Sequence, residues 1–324
     1  MSYSQFDLIE AEDYNNLLGT NTSSNSSTFH AVWAWGNGSR GYGQSPISNV
    51  AVSGTVTATQ WATLINNINS ANLHVRNTQS GLTANTAGQI IGYSGGLPAA
   101  IAQLNQDRLL FATNSAVIAN HNNLTAYNPW IVSAPPGVDP GDARRSFGTT
   151  VTFASADQAR FFFNAGGRLK FNVSCVNNAG AASRSAAVTN LFGFLGGIAT
   201  FGANTNGGRT GTGGTLTTNN TNEGYWTLIT SNVNVAVVTS TTTNYTTDKA
   251  WLSVRTNLPQ GSFNDNGTQL QFWCTINSTS GSNTPFSFDD DIDVTPTVTV
   301  DVSYPETTNL SNTWGAVTVA RVGS

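Results

Sequence analysis

Residues 155–176 read SADQARFFFNAGGRLKFNVSCV, and this stretch sets the character of the fold. Ser155, with Gln158 three positions on, is a capping-box pattern that satisfies free amide donors at a helix start. Ala159 to Asn164 continue the helix, and Gly166-Gly167 at the C′ position close it. From Leu169 to Val176 the composition turns to apolar, β-branched and hydroxyl residues, so the short helix feeds directly into a strand.

Downstream, further β-like runs follow, separated by clusters of Gly, Asn and Thr. With Thr149 to Phe153 just upstream, they cover Leu169 to Val176, Ala186 to Leu191, Trp226 to Leu228, Val233 to Val238, Trp251 to Arg255, Leu270 to Ile276, Val294 to Val302 and Thr313 to Val319. So many short runs predict a sandwich or barrel-like β domain. The Gly- and Asn-rich stretch from Gly202 to Asn222 is long for an uncovered loop and is expected on an exposed, active surface.

Upstream, the pattern is helical. Trp61, Leu64, Ile65 and Ile68 fall at i, i+3, i+4 and i+7 between Ala58 and Asn69, behind a capping box of Thr57 and Gln60. A second helix is expected from Leu97 to about Asn120, with Pro98 in its first turn and Ile101, Leu104, Leu109 or Phe111, Val117 and Ile118 along one stripe. A short one covers Ala11 to Leu18, stopped by Gly19. Trp33 and Trp35 alternate as on a short strand, while 21–28 and 35–44 read as loops. Pro129, Pro135, Pro136 and Pro140 suggest a stiff connector at 130–145. The expectation is an α+β chain: a small helical N-terminal unit, 1–140, followed by a mainly antiparallel β-sandwich-like domain, 141–324.

Charged residues make up 9% of the 324 positions, and their place is taken by Asn, Thr, Ser and Gly. Hydrophobic residues at 39% are enough for collapse, which argues against charge-driven disorder. The net charge is −4, with Lys170 and Lys249 the only lysines and Arg144-Arg145 the only adjacent arginines. No basic stripe matches a phosphate backbone, so nucleic acid is excluded as a partner. The opening residues lack the positive start and apolar core of a secretion signal, and no apolar run reaches a membrane span, so cytoplasmic synthesis and no membrane insertion are expected.

Candidate chemistry is sparse. His30, His74 and His121 stand far apart, and Cys175 and Cys274 form no metal-type spacing; the thiols read as small buried groups on strands, with a bridge after release as the alternative. His74 is expected near a helix C-terminus, where an imidazole meets free carbonyls, and His30 and His121 in solvent. Asp289, Asp291 and Asp293 would share one side of an extended segment and form a weak Ca²⁺ candidate; a solvated strand end is the plainer account. No metal or other cofactor is otherwise implied. Glu223, beside Tyr225 and Trp226, is the only glutamate placed like a catalytic acid, against an ordinary surface role. Tyr225 and Trp226 are candidate ligand contacts. Trp226, Trp251, Trp273 and Trp314 lie in β runs, where sugar stacking competes with core packing.

Three stretches carry a resemblance: LIEAEDYNNLLG at 8–19, SRGYGQSPISNVAVSGTVTATQWATLINNIN at 39–69, and DQARFFFNAGGRLKFNVS at 157–174. In that order they resemble a family of virion structural proteins of tailed bacteriophages, of the cyanophage and marine phage type. The shared features fall on Asp13 to Asn15, Gly41 to Gln44, Gln60-Trp61 and Arg160 to Gly167, and the match spans about half of the chain. The chain departs from the family at Asn72-Leu73-His74-Val75-Arg76, where an Arg-His-Gln run is common, so no contact of that run carries over. The resemblance implies a non-enzymatic particle component of tail, neck, fibre or capsid surface, localised to the virion and assembled in the host cytoplasm.

On that reading the helical unit docks on the particle or on other copies, organised by Trp61, Leu64, Ile65 and Ile68, whose plainer role is an intrachain core stripe. The partners are copies of itself, with a trimer the first choice, and other virion proteins. An alternative is an adhesin binding host surface glycan through loops at 202–225 and 261–289. The third is a capsule depolymerase acting through Glu223.

Overall fold

The structure is a computed structural model that describes residues 11–18, 35–36, 40–84, 86, 96–108, 118–122, 130–132, 141–179, 183–209, 214–258, 267–279 and 291–322. Its helices are α1 (Ala11–Leu18), α2 (Ala58–Arg76), α3 (Leu97–Asp107), α4 (Ala156–Asn164) and α5 (Ser183–Leu195). Its strands are β1 (Ile118–Asn122), β2 (Trp130–Val132), β3 (Ala143–Thr152), β4 (Arg168–Asn177), β5 (Ile198–Phe201), β6 (Gly214–Asn219), β7 (Val233–Ser240), β8 (Lys249–Thr256), β9 (Gln269–Ser278), β10 (Ile292–Tyr304) and β11 (Thr318–Val322).

The described strands form two antiparallel sheets, an α+β fold with sandwich-like packing. The first runs β1-β10-β4-β5, with β2 also pairing β10; the second runs β11-β3-β9-β8-β7-β6. Strand β10 shows why such a chain makes a sandwich. Ile292, Val294, Val298, Val300 and Val302 are buried, while the residues between them, mostly Thr and Asp, point the other way. Between the sheets Phe171 stacks on Phe272 at 5.5 Å, and Phe201 meets the same ring edge-on at 5.3 Å.

Helix α4 forms as its sequence dictates. Ser155 Oγ accepts from the Gln158 amide. At the other end Gly166 adopts φ +91°, and the Gly167 and Gly166 amides donate to Phe162 O and Phe163 O. This left-handed closure turns the chain straight into β4. Helix α2 has its reciprocal Thr57–Gln60 cap and runs past Asn69 to Arg76, where Asn77 ends it in the left-handed region.

Elsewhere the expectations need correction. Ala186 to Leu191 lies inside α5 and is not a strand. Ala187, Val188, Leu191, Phe192 and Leu195 are all fully buried, and α5 packs on strands of both sheets. The outward stripe of Ala186, Thr189, Asn190 and Gly193 is narrow and only weakly polar, so the helical period is faint against the apolar run. Trp226 to Leu228 enters a single tight turn, Tyr225–Thr227, instead of a strand, and Trp35 lies in a bend. Of Thr313 to Val319 only Thr318 and Val319 are in a strand. Helix α3 stops at Asp107, and Ile118 begins a strand, while Leu109, Phe111 and Val117 lie outside the described residues. The stretch from Gly202 to Asn222 contains β6, which pairs with β7. Both thiols are free, and burial pushes Cys175 up to about 12 and Cys274 higher still.

Strands β1 and β2 precede residue 140 and pair with β10 near the end of the chain. One contiguous buried core holds Tyr14, Trp61, Leu64 and Ile101 together with Phe162, Val300 and Trp314.

Candidate functional site

The short motifs of the sequence meet in two places: 13–15 with Gln60 and Trp61 at the start of α2, and the loop 40–44 with the end of α4 beside the last turn of α2. Asn15 exchanges two hydrogen bonds with the backbone of Val50, at 2.8 and 2.9 Å. Tyr14 lies 6.3 Å from the Trp61 ring and donates to Gln60 O at 3.2 Å; burial pushes its hydroxyl up to about 12. The loop 40–44 then reaches across the molecule. Asn164, at the end of α4, donates to Gly41 O at 2.9 Å. Gln44 and Ser311 exchange two bonds of 2.9 and 2.8 Å, and Thr313 Oγ1 donates to Tyr42 O at 2.7 Å. Gly43, at φ +75°, packs so tightly on Phe161 that a Cβ there would stand 2.3 Å from the ring. Only glycine serves at that position.

At the centre of this second joint are Tyr42, His74 and Glu306. The Tyr42 ring meets the His74 ring edge-on at 5.3 Å, and its hydroxyl donates to Arg108 O at 2.8 Å. Burial pushes the Tyr42 hydroxyl up, and burial lowers the Arg108 guanidinium to about 10. His74, with 1% of its surface exposed, places Nδ1 2.8 Å from Glu306 Oε1 and Nε2 3.0 Å from Ala165 O. Both ring nitrogens thus meet an oxygen able to accept a hydrogen bond. Glu306 Oε2 also accepts from the amides of Thr308 and Asn309, at 2.5 and 3.0 Å. Burial alone would push this carboxyl up; the bonds from His74, Asn309 and Thr308 and the His74 charge outweigh it and hold the group down at about 2. Every polar group here is turned inward on another part of the chain. Such an arrangement fixes structure.

His74 therefore belongs to the last turn of α2 but does not serve that helix end; it bridges to residues 91 and 232 positions away. His30 lies outside the described residues, and His121 is in β1. Glu306 carried no individual signal beyond standing before Thr307, Thr308 and Asn309, a turn-forming run. Beside the joint is an open polar groove of about 600 Å³, lined by Trp35, Gln44, Asn67 and 307–312.

The other candidates are placed as follows. Trp61, Leu64, Ile65 and Ile68 are 0 to 3% exposed, so they fill the interior of the helical unit and do not themselves face a partner. Tyr225 is fully buried and stacks on Phe163 at 4.4 Å, which closes it to a ligand; Trp226 is partly buried against the core. Glu223 binds Asn220 Nδ2 and Thr227 Oγ1 with its two carboxylate oxygens, at 3.2 and 2.8 Å. These bonds close the turn at Tyr225–Thr227. Asp289 lies outside the described residues; Asp293 accepts from Asn178 at 3.0 Å, and Ser185 donates to Asp291 O. Among the described residues no three metal-type side chains come together.

A second buried polar cluster lies at the base of α5. Arg184, fully buried, donates to Ser278 Oγ, Ser278 O and Gly141 O at 3.1, 2.9 and 2.8 Å. Ser278 in turn donates to Asp248 at 2.6 Å, and Thr279 donates to the other oxygen. No family model, curated protein or solved structure matches this chain.

Proposed function

We propose that the chain is a structural component of a tailed-phage particle, of tail, fibre or neck type, which assembles with copies of itself, a trimer first, and docks through its helical unit. The observation that carries the reading is the pairing of the short sequence motifs, Asp13 to Asn15 with Gln60-Trp61 at one end of α2 and Gly41 to Gln44 with Arg160 to Gly167 near the other. Motifs spent on holding the fold together suit a part whose role is to assemble. The composition supports the same reading. Faces rich in Thr, Ser and Asn make neutral hydrogen-bonded contacts that salt weakens less than ion pairs. In this proposal the chain carries out no chemistry, and its docking surface is the outside of a unit whose inside Trp61, Leu64, Ile65 and Ile68 fill.

The test is sedimentation of the full chain, followed by reconstruction of a particle that contains it. The expected result is a species of three chain masses whose helical unit touches neighbouring particle proteins. A lone monomer that shortens polysaccharide would contradict the reading.

A further inference from the structure

The outer face of the first sheet mixes charges, with Lys170 and Arg168 of β4 beside Asp301 and Ser303 of β10, whereas the second carries one sign. On β10 the outward positions are Asp293, Thr295, Thr297, Thr299, Asp301 and Ser303. On the other sheet, β3, β8 and β9 carry no acidic residue at all. Their outward positions include Arg144, Lys249, Trp251, Arg255, Gln271 and Trp273, with the apolar positions between them buried on the side where α5 packs.

The register sets Trp273 between Gly148 of β3 and Ser253 of β8. A Cβ on Gly148 would stand 2.7 Å from the indole, so the ring lies down over the glycine instead of standing off the sheet. Trp251 is paired with Thr275, one diagonal step from Trp273. Both indoles remain partly exposed. The Arg144 guanidinium sits 5.1 Å from the Trp251 ring centroid, and Arg255 Nε donates to Gln271 at 2.7 Å. Among the described residues, Arg144, Lys249 and Arg255 have no carboxylate partner. In a chain of net charge −4, this face reverses the sign locally.

We propose that this face binds an acidic polysaccharide, whose sugar rings stack on Trp273 and Trp251 while their carboxylates face Arg144, Lys249 and Arg255. A flat indole laid on a sheet offers no pocket for a peptide side chain. It does match the flat C–H face of a pyranose, and the amides and guanidinium groups around it match the hydroxyl and carboxylate rim. The proposal stands apart from the virion reading, since the binding is measured on the free chain and particle location separately.

The test is electrophoresis of the full chain through gels containing alginate, a polyuronate, with dextran as the neutral control and polyglutamate and single-stranded DNA as competitors. Alginate should retard the chain, dextran should not, and high salt should weaken the effect. Trp273→Ala and Trp251→Ala should each weaken alginate binding about tenfold, the scale of a lost aromatic stacking contact. Should a tryptophan variant fail to fold, the Lys249→Gln, Arg255→Gln pair should still weaken retention about tenfold, with unchanged circular dichroism. No retardation by alginate, equal retardation by dextran, displacement by polyglutamate or DNA as effective as by alginate itself, or charge variants that bind like the parent would each overturn the proposal.

Discussion

The joint at His74 and Glu306 and the cluster at Arg184, Ser278 and Asp248 are both buried, polar and built over long stretches of chain, yet their carboxyls move in opposite directions. Glu306 is held down at about 2, because the bonds and charge of its partners exceed the effect of burial. Asp248 is pushed up, because burial exceeds the bonds from Ser278 and Thr279 and the charge of Arg184. The first carboxylate stabilises the fold in its charged form; the second bears a penalty for that form. Burying an acid is thus no measure of its worth, and the partners decide the sign.

The sharpest way to break this contrast is to remove one partner from the joint. His74→Ala leaves the Glu306 carboxylate buried without its cation and should cost about 3 to 5 kcal/mol in urea denaturation. Gly43→Ala attacks the same joint through the backbone: the left-handed φ and the Phe161 contact together should cost about 1 to 3 kcal/mol. Asp248→Asn, with relief of a buried charge offsetting weaker hydrogen bonds, should change stability by less than about 1 kcal/mol. A loss there as large as that of His74→Ala would erase the distinction.

The pH dependence sharpens it. Since the folded Glu306 carboxyl lies at about 2 against an ordinary 4.5, its contribution is complete above 4.5 and is lost as pH falls toward 2. Asp248, shifted up, works against this: protonation relieves its penalty, so it favours the fold as pH falls. Chemical denaturation across this acid range should show a net fall in stability that Glu306→Gln flattens and Asp248→Asn steepens.

Local signals were legible in the sequence and long-range ones were not. The caps at Thr57 and Ser155 and the glycine closure after Asn164 depend on neighbours within four residues, and each is present. Strand β10 was clear because one sheet face is wet, so its period of two survives. Helix α5 reads like a strand because its solvent stripe holds only Ala186, Thr189, Asn190 and Gly193, too few polar residues to mark a period. Tyr225 read as an exposed aromatic because nothing near it in sequence announces Phe163 above its ring. The His74–Glu306 pair spans 232 residues, and neither residue carries a pattern that points to the other. Trp251 and Trp273 are visible as tryptophans in β runs, but their shared face emerges only from the registers of β9 with β3 and with β8.

The central claim is that the joint makes the helices and the two sheets fold as one body. Thermal unfolding of the full chain, followed at once by near-ultraviolet circular dichroism of its tryptophans and far-ultraviolet circular dichroism of its backbone, tests this directly. The account predicts coincident transitions that shift down together in His74→Ala. Separate helical and sheet transitions in the parent chain, with only the first displaced by the substitution, would contradict it.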